Sequence, residues 1–126
     1  MVDLDRLGAE KYILLTTFRR DGRAVPTPLW AVRDGAGLAC WTPTDSGKVK
    51  RIRNSGRVTV APCDMRGKPL GEAVEAHARI GDPADTDRVR ALLAGKYGMI
   101  GRLSVWGSRL RRGRNGTVAV LIGPAR

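Results

Sequence analysis

Lys48, Lys50, Arg51, Arg53 and Arg57 crowd a stretch that has no carboxylate between Asp45 and Asp64. Val49 and Ile52 stand three apart within it, the spacing of a helix's buried stripe. A helix over about Asp45 to Asn54 then has Lys48 and Arg51 bordering the stripe, with Lys50 and Arg53 pointing further out. Four cations on one short helix repel one another unless an anion relieves them. The free N–H groups and dipole of a helix N-terminus attract phosphate, and lysine and arginine add charge-assisted hydrogen bonds. Either a phosphate site or a solvated basic face would account for the charges.

No other chemistry stands out as strongly. Cys40 and Cys63 are the two cysteines and His77 the one histidine, which is neither a zinc pattern nor a disulfide framework. Both cysteines read as small core or near-site residues in a reducing compartment. Cys63 has no histidine or aspartate in a partnering motif to make it a nucleophile. His77, inside Ala76-His77-Ala78, reads as a packing or surface residue.

The chain has 126 residues, enough for one domain over 1–126, and a net charge of +11. Polyanions are therefore its natural partners: nucleic acid, an acidic membrane surface or phosphorylated small molecules. After Asp87 no acidic side chain follows. Aromatic residues make up only 5%, too few for the stacking platforms that read single-stranded nucleic acid. No apolar run approaches 18 residues and the N-terminus is not a signal sequence, so a soluble cytoplasmic protein is expected.

These residues must be positioned by the elements around them. A short helix is expected from Asp3 to about Glu10, capped by Asp3 or Asp5, with Leu4 and Leu7 inward. A strand over 11–18 turns at Asp21-Gly22 into a strand over 24–32, and Asp34-Gly35 turns that into Gly37–Thr42. Together these predict an antiparallel meander. After the basic helix come strands over 57–63 and 71–80, separated by a turn over 64–69. A helix from Pro83 to about Tyr97 should bury Val89, Leu92 and Leu93; a second covers 99–110, and 116–122 is the closing strand. Six mostly antiparallel strands with flanking helices predict a mainly β, small closed barrel.

The order of elements and several local words together resemble the pyridoxamine 5'-phosphate oxidase-like split-barrel flavoproteins. Within them the chain resembles the actinobacterial branch that binds the deazaflavin coenzyme F420. The carrying words are Thr17 to Trp30 (TFRRDGRAVPTPLW), Trp41-Thr42, Ser46 to Arg53 (SGKVKRIR), Arg57 to Gly67 (RVTVAPCDMRG) and Lys96-Tyr97-Gly98. The resemblance implies a six-stranded antiparallel split β-barrel with the cofactor lying across a homodimer interface. It implies that Trp41 and Thr42 touch the ring or ribityl chain and that Ser46, Gly47 and Lys48 hold the phosphate. Lys50 and Arg51 become second-line phosphate or tail contacts, Pro28 and Trp30 lie beside the ring, and Arg66 and Lys68 reach the acidic tail. Trp41 has barrel packing as its alternative. Thr42 and Ser46 could serve as strand-end and helix-capping residues. Trp106 and Tyr97 read as packing residues, with Tyr97 also a candidate for the substrate side.

Two departures separate the chain from vitamin B6 oxidases. The strand where those enzymes carry a phosphate-binding arginine reads Pro28-Leu29-Trp30-Ala31-Val32-Arg33, and the given sequence ends at Arg126 without their long C-terminal substrate motif. The resemblance thus points to a reductase passing a hydride from reduced F420 to an unsaturated or carbonyl-containing organic substrate. In such enzymes the cofactor carries the chemistry and the protein orients it, so no dedicated acid–base pair is expected. Alternatives are an FMN-dependent reductase of the same fold, a cofactor carrier without turnover, and a nucleic-acid-binding small barrel. The charge surplus favours the longer, polyglutamylated anion over FMN.

Overall fold

Burial alternates along β1 (Ile13–Phe18): Ile13, Leu15 and Thr17 are buried, while Leu14, Thr16 and Phe18 lie on the other face. This is the period of a half-buried strand. The protein is described by a computed structural model covering the backbone of residues 4–112 and 116–125, with side chains throughout except at Asp5 and 99–112. Asp3 as a helix cap, the Asp5 side chain and the role of Trp106 fall outside the described residues.

β1 returns as β2 (Ala24–Leu29) through the Asp21-Gly22 turn, which Arg19 N–H closes by donating to the Arg23 carbonyl at 2.9 Å. Pro26 and Pro28 stand opposite Thr16 and Leu14. Having no N–H to donate to a further neighbour, proline suits an edge strand, and β2 is one. β3 (Val32–Asp34) and β4 (Gly37–Pro43) make a second hairpin around Asp34-Gly35. Then follow α2 (Gly47–Asn54), β5 (Arg57–Pro62), β6 (Val74–Ile80), α3 (Pro83–Arg112) and β7 (Thr117–Pro124); α1 (Leu4–Leu7) precedes them all.

Seven antiparallel strands form one sheet in the order β2-β1-β5-β6-β7-β4-β3. β2 and β3 are its two edges, yet only Trp30 and Ala31 separate them in the chain. Three residue steps span at most about 11 Å, so the sheet must curl until its edges nearly meet. The barrel closes at this seam by covalent connection rather than by a ladder, which makes it a split barrel.

The expected single strand over 24–32 is therefore two strands, the meander is two hairpins at opposite edges, and the strand count is seven, not six. The cause is α3. Ala31 N–H donates to the Tyr97 hydroxyl at 3.2 Å, and the Ala31 carbonyl accepts from Lys96 Nζ. These side chains take the backbone groups that a continuous ladder would have used. The strand expected over 71–80 starts three residues late for a similar reason. Its approach is spent on a turn in which Cys63 bridges Pro69 and Leu70 N–H donates to the Pro62 carbonyl at 2.8 Å.

The barrel interior packs Ile13, Leu15, Leu38, Cys40, Val58, Val60, Val120 and Ile122, with Leu4 and Leu7 from α1 and Ile52 from α2. A second cluster lies outside it, where Val32, Ala39, Ala119 and Leu121 meet Val89 and Leu93 of α3. β4 and β7 are thus covered on both faces, which explains why Thr117–Ile122 is buried at every position. Val89 and Leu93, almost wholly buried, each contribute about 1.5–3 kcal/mol to holding α3 down. The two helices expected after Pro83 run end to end as α3, with a break at Gly98 (φ 60°, ψ −138°).

Candidate functional site: a cationic groove at the start of α2

Ser46 caps α2. Its Oγ accepts from Val49 N–H at 3.4 Å and lies 3.4 Å from Thr42 Oγ1, joining the end of β4 to the first helical turn. Val49 and Ile52 are buried, as their spacing predicts, and the first turn holds no acidic residue. Lys48 and Arg51 are half-buried on either side of that stripe, whereas Lys50 and Arg53 are exposed.

Arg51 is the residue that organises the site. Its Nε donates to the buried Thr17 Oγ1 at 2.6 Å, which draws the side chain back across the first turn of its own helix. A Cβ on Gly47 would lie 2.7 Å from Arg51 Nη1, so the guanidinium occupies the space that glycine leaves. Phe18, Arg19, Arg20, Gly47, Lys50, Arg51 and Asn54 line a groove of 450 Å³ here. Four of those seven residues are cations and none is acidic. Burial, and then the Arg19 charge, lower the Arg51 pKa. The Lys48 pKa is lowered by burial first and by Arg51 second, with Cys40 acting in the opposite sense. Each lowered pKa records burial first and a neighbouring cation second.

Cys40 is fully buried in the barrel and its thiol is pushed up to about 12 by desolvation, against the opposing pull of Lys96 and Lys48. It is a neutral core residue, not a thiolate nucleophile. His77 is exposed, its ring lying where a Cβ on Gly56 would stand. Among the described residues no group of acidic, histidine and cysteine side chains could hold a metal, and no helix is long and apolar enough to cross a membrane.

The eleven residues singled out in the sequence fall into three places. Thr42, Ser46, Gly47, Lys48, Lys50 and Arg51 gather around the start of α2, but of these Gly47, Lys50 and Arg51 line the groove while Thr42, Ser46 and Lys48 do not. Pro28 lies on the outer face of β2, where the 64–69 turn packs against it through Gly67. That turn carries Arg66 and Lys68, whose backbone N–H groups both donate to Asp64 Oδ1 at 2.9 Å while their side chains are exposed. Leu14, which Gly67 also approaches, and Thr17 point to opposite faces of β1 about 10 Å apart. Neither Arg66 nor Lys68 lines the α2 groove. Trp30 and Trp41 pack against the cluster under α3. Trp41 faces away from Thr42, as successive strand residues must, and its buried Nε1 has no partner among the described residues.

Sequence reasoning missed Arg19 and Arg20, which stood only within the word from Thr17 to Trp30, and missed Thr17 as the anchor for Arg51. The Arg19-Arg20 pair was a visible cationic signal. Its convergence on α2, some thirty residues later, was not.

Solved proteins of the pyridoxamine 5'-phosphate oxidase-like kind share this split-barrel fold. HutZ, the heme storage protein of Vibrio cholerae, superimposes with a TM-score of 0.69 at 14% identity, over 99% of this chain and 92% of its own. A proposed pyridoxamine 5'-phosphate oxidase of Listeria innocua gives 0.65 at 13% identity, over 97% and 92%. An F420 reductase gives 0.64 at 18% identity, over 100% and 96%. No protein-family profile and no curated protein matches the chain. At these identities the likeness is one of fold, and the fold houses proteins described by different ligands.

Proposed function

We propose that the protein is a coenzyme F420-dependent reductase acting as a homodimer, with the α2 groove as its anion site. The observation that carries this reading is the guanidinium of Arg51 laid over Gly47 in a carboxylate-free groove. The groove has the charge a phosphate needs, and Gly47 is what leaves room for the Arg51 guanidinium in it. Bound there, reduced deazaflavin would supply a hydride to an unsaturated or carbonyl-containing organic substrate. The chain's own residues bind and orient. Ser46 and Lys48 serve the phosphate, Arg51 closes over it, and Arg19, Arg20 and Lys50 extend the positive field toward an acidic tail. Pro28, Trp30, Trp41 and Thr42, which stand in three different places of one chain, would serve the ring and ribityl side only across a dimer seam.

The homodimer rests on the exposed face of β1 and β2. Leu14, Pro26 and Pro28 line it, beside Met65 and Leu70, which are 67% and 63% exposed. Covering such a face with a second copy brings the partner's 64–69 turn into play, and this is the route by which Arg66 and Lys68 would reach a cofactor tail. Because a C2 interface is self-complementary, two equivalent sites follow.

An FMN-dependent reductase is the second reading, favoured by the same phosphate cradle. Fluorescence titration with F420 and with FMN, at low and high salt, separates the two. F420 affinity should rise with the number of glutamates in its tail and fall more steeply with salt, because exposed pairs fade over a Debye length of about 8–10 Å. Tighter FMN binding at every salt concentration, with no effect of tail length, moves the protein to the flavin reductases. A nucleic-acid-binding barrel or a cofactor carrier is the reading left if neither is reduced or oxidised in turnover.

A further inference from the structure

A second hollow, of 420 Å³, is lined by Ala9, Lys11, Tyr12, Trp30, Lys96 and Tyr97. It brings together both tyrosines and one tryptophan from a chain with only six aromatic residues, two Tyr, three Trp and one Phe. Trp30 and Tyr97 are stacked, their ring centroids 4.3 Å apart and their planes within 7°. Their setting is rigid. The Tyr97 hydroxyl donates to the Lys11 carbonyl at 2.7 Å and accepts from Ala31 N–H, while Lys96 Nζ donates to the carbonyls of Gly8, Glu10 and Ala31.

Two ammonium groups and no carboxylate line the hollow. Lys96 has spent all three N–H bonds on carbonyls, so its charge acts on a ligand only through space. Burial lowers the Lys96 pKa, with Cys40 and Glu10, both outside the lining, acting in the opposite sense. The Lys11 ammonium is exposed and sits 5.9 Å from the centroid of the Tyr12 ring, beside the mouth. Flat aromatic walls prefer a flat ring at stacking distance, and a mostly apolar hollow with a few convergent polar groups is the usual form of a small-molecule site. The unbalanced positive charge selects among flat ligands.

We infer that this hollow binds a planar conjugated anion, a ring system bearing a carboxylate or phenolate, packed among Tyr12, Trp30 and Tyr97 with its charge toward Lys11. Identifying this ligand as the substrate rests on the reductase reading, since Trp30 is assigned to the cofactor side as well. The binding itself does not.

Isothermal titration of the cofactor-free protein with 2-naphthoate, and with neutral 2-naphthamide, tests the inference. Naphthoate should bind saturably and more tightly than the amide. Lys11→Gln should weaken naphthoate by up to about fivefold, the limit for an exposed charge pair, and leave the amide unchanged. Tyr12→Ala should weaken both by about fivefold or more through lost ring contact. Equal affinity for acid and amide, no saturable binding, or naphthoate binding untouched by Lys11→Gln would overturn it. Lys11 is a surface residue, so this variant stays informative even if Tyr12→Ala folds poorly. Naphthoate binding in a protein that takes up neither F420 nor FMN would uphold this site and remove the cofactor reading; cofactor uptake without naphthoate binding would do the reverse.

Discussion

Gly47→Ala separates binding from stability. The added methyl would lie 2.7 Å from Arg51 Nη1, closer than two such atoms can approach. That atom is the far end of a flexible side chain, so the guanidinium can tilt off the groove while Nε keeps its bond to Thr17, at small cost to the fold. Alanine is moreover a better helix former than glycine by about 0.8–1 kcal/mol in a helix interior, and by less at a first helical position such as this. The unliganded variant should therefore melt within about 1 kcal/mol of wild type. Phosphate affinity should fall much further. Arg51 is displaced from the groove, and a hydrogen bond to a charged group contributes about 1.5–3 kcal/mol, or about tenfold to 150-fold in the dissociation constant. Thermal denaturation of the unliganded protein, beside fluorescence titration with F420, reads the two quantities separately. Arg51→Ala is the comparison: it also leaves the buried Thr17 hydroxyl without its partner, so it should lose about 1–3 kcal/mol of stability besides. If Gly47→Ala binds F420 as tightly as wild type, the placement of Arg51 over Gly47 has no part in anion binding.

Lys48 supplies a pH test. Its pKa is lowered below 10.5 and only the protonated form attracts an anion, so cofactor affinity should be full below that lowered pKa. It should be lost as pH rises through it, before an ordinary lysine would titrate; Lys48→Arg should remove this step, and a step at the same pH in that variant would assign it elsewhere. For stability the sign is opposite: the unfolded chain holds the Lys48 proton up to higher pH than the folded one, so stability should rise, not fall, between the lowered pKa and 10.5. Lys96→Met should destabilise the protein by about 2–3 kcal/mol, because the Gly8, Glu10 and Ala31 carbonyls lose a shared donor. Chemical denaturation measures it, and a loss under 0.5 kcal/mol would mean that water replaces the ammonium. Light scattering should give a dimer that Met65→Asp with Leu70→Asp turns into a monomer; a wild-type monomer that binds cofactor tightly would refute the shared site.

What the sequence determined by itself were the features carried by neighbours in the chain. The Asp-Gly turns, the buried stripe of Val49 and Ile52, the cap at Ser46 and the apolar run of β7 are local patterns, and each formed where its pattern stands. The cationic character of α2 was legible for the same reason, because charge and helical period are both read over a few residues. Tertiary structure alone decided where the strand over 24–32 breaks. Nothing local interrupts it; Lys96 and Tyr97, more than sixty residues away, capture the backbone of Ala31 and so turn one strand into the two edges of a split barrel. The cationic groove was half visible. Lys50 and Arg51 could be read from α2, but the arrival of Arg19 and Arg20 depends on β1 ending beside that helix, and the pose of Arg51 depends on a buried threonine in β1. Long-range placement sets these contacts, and a single sequence records which residues are available for them without recording which will meet.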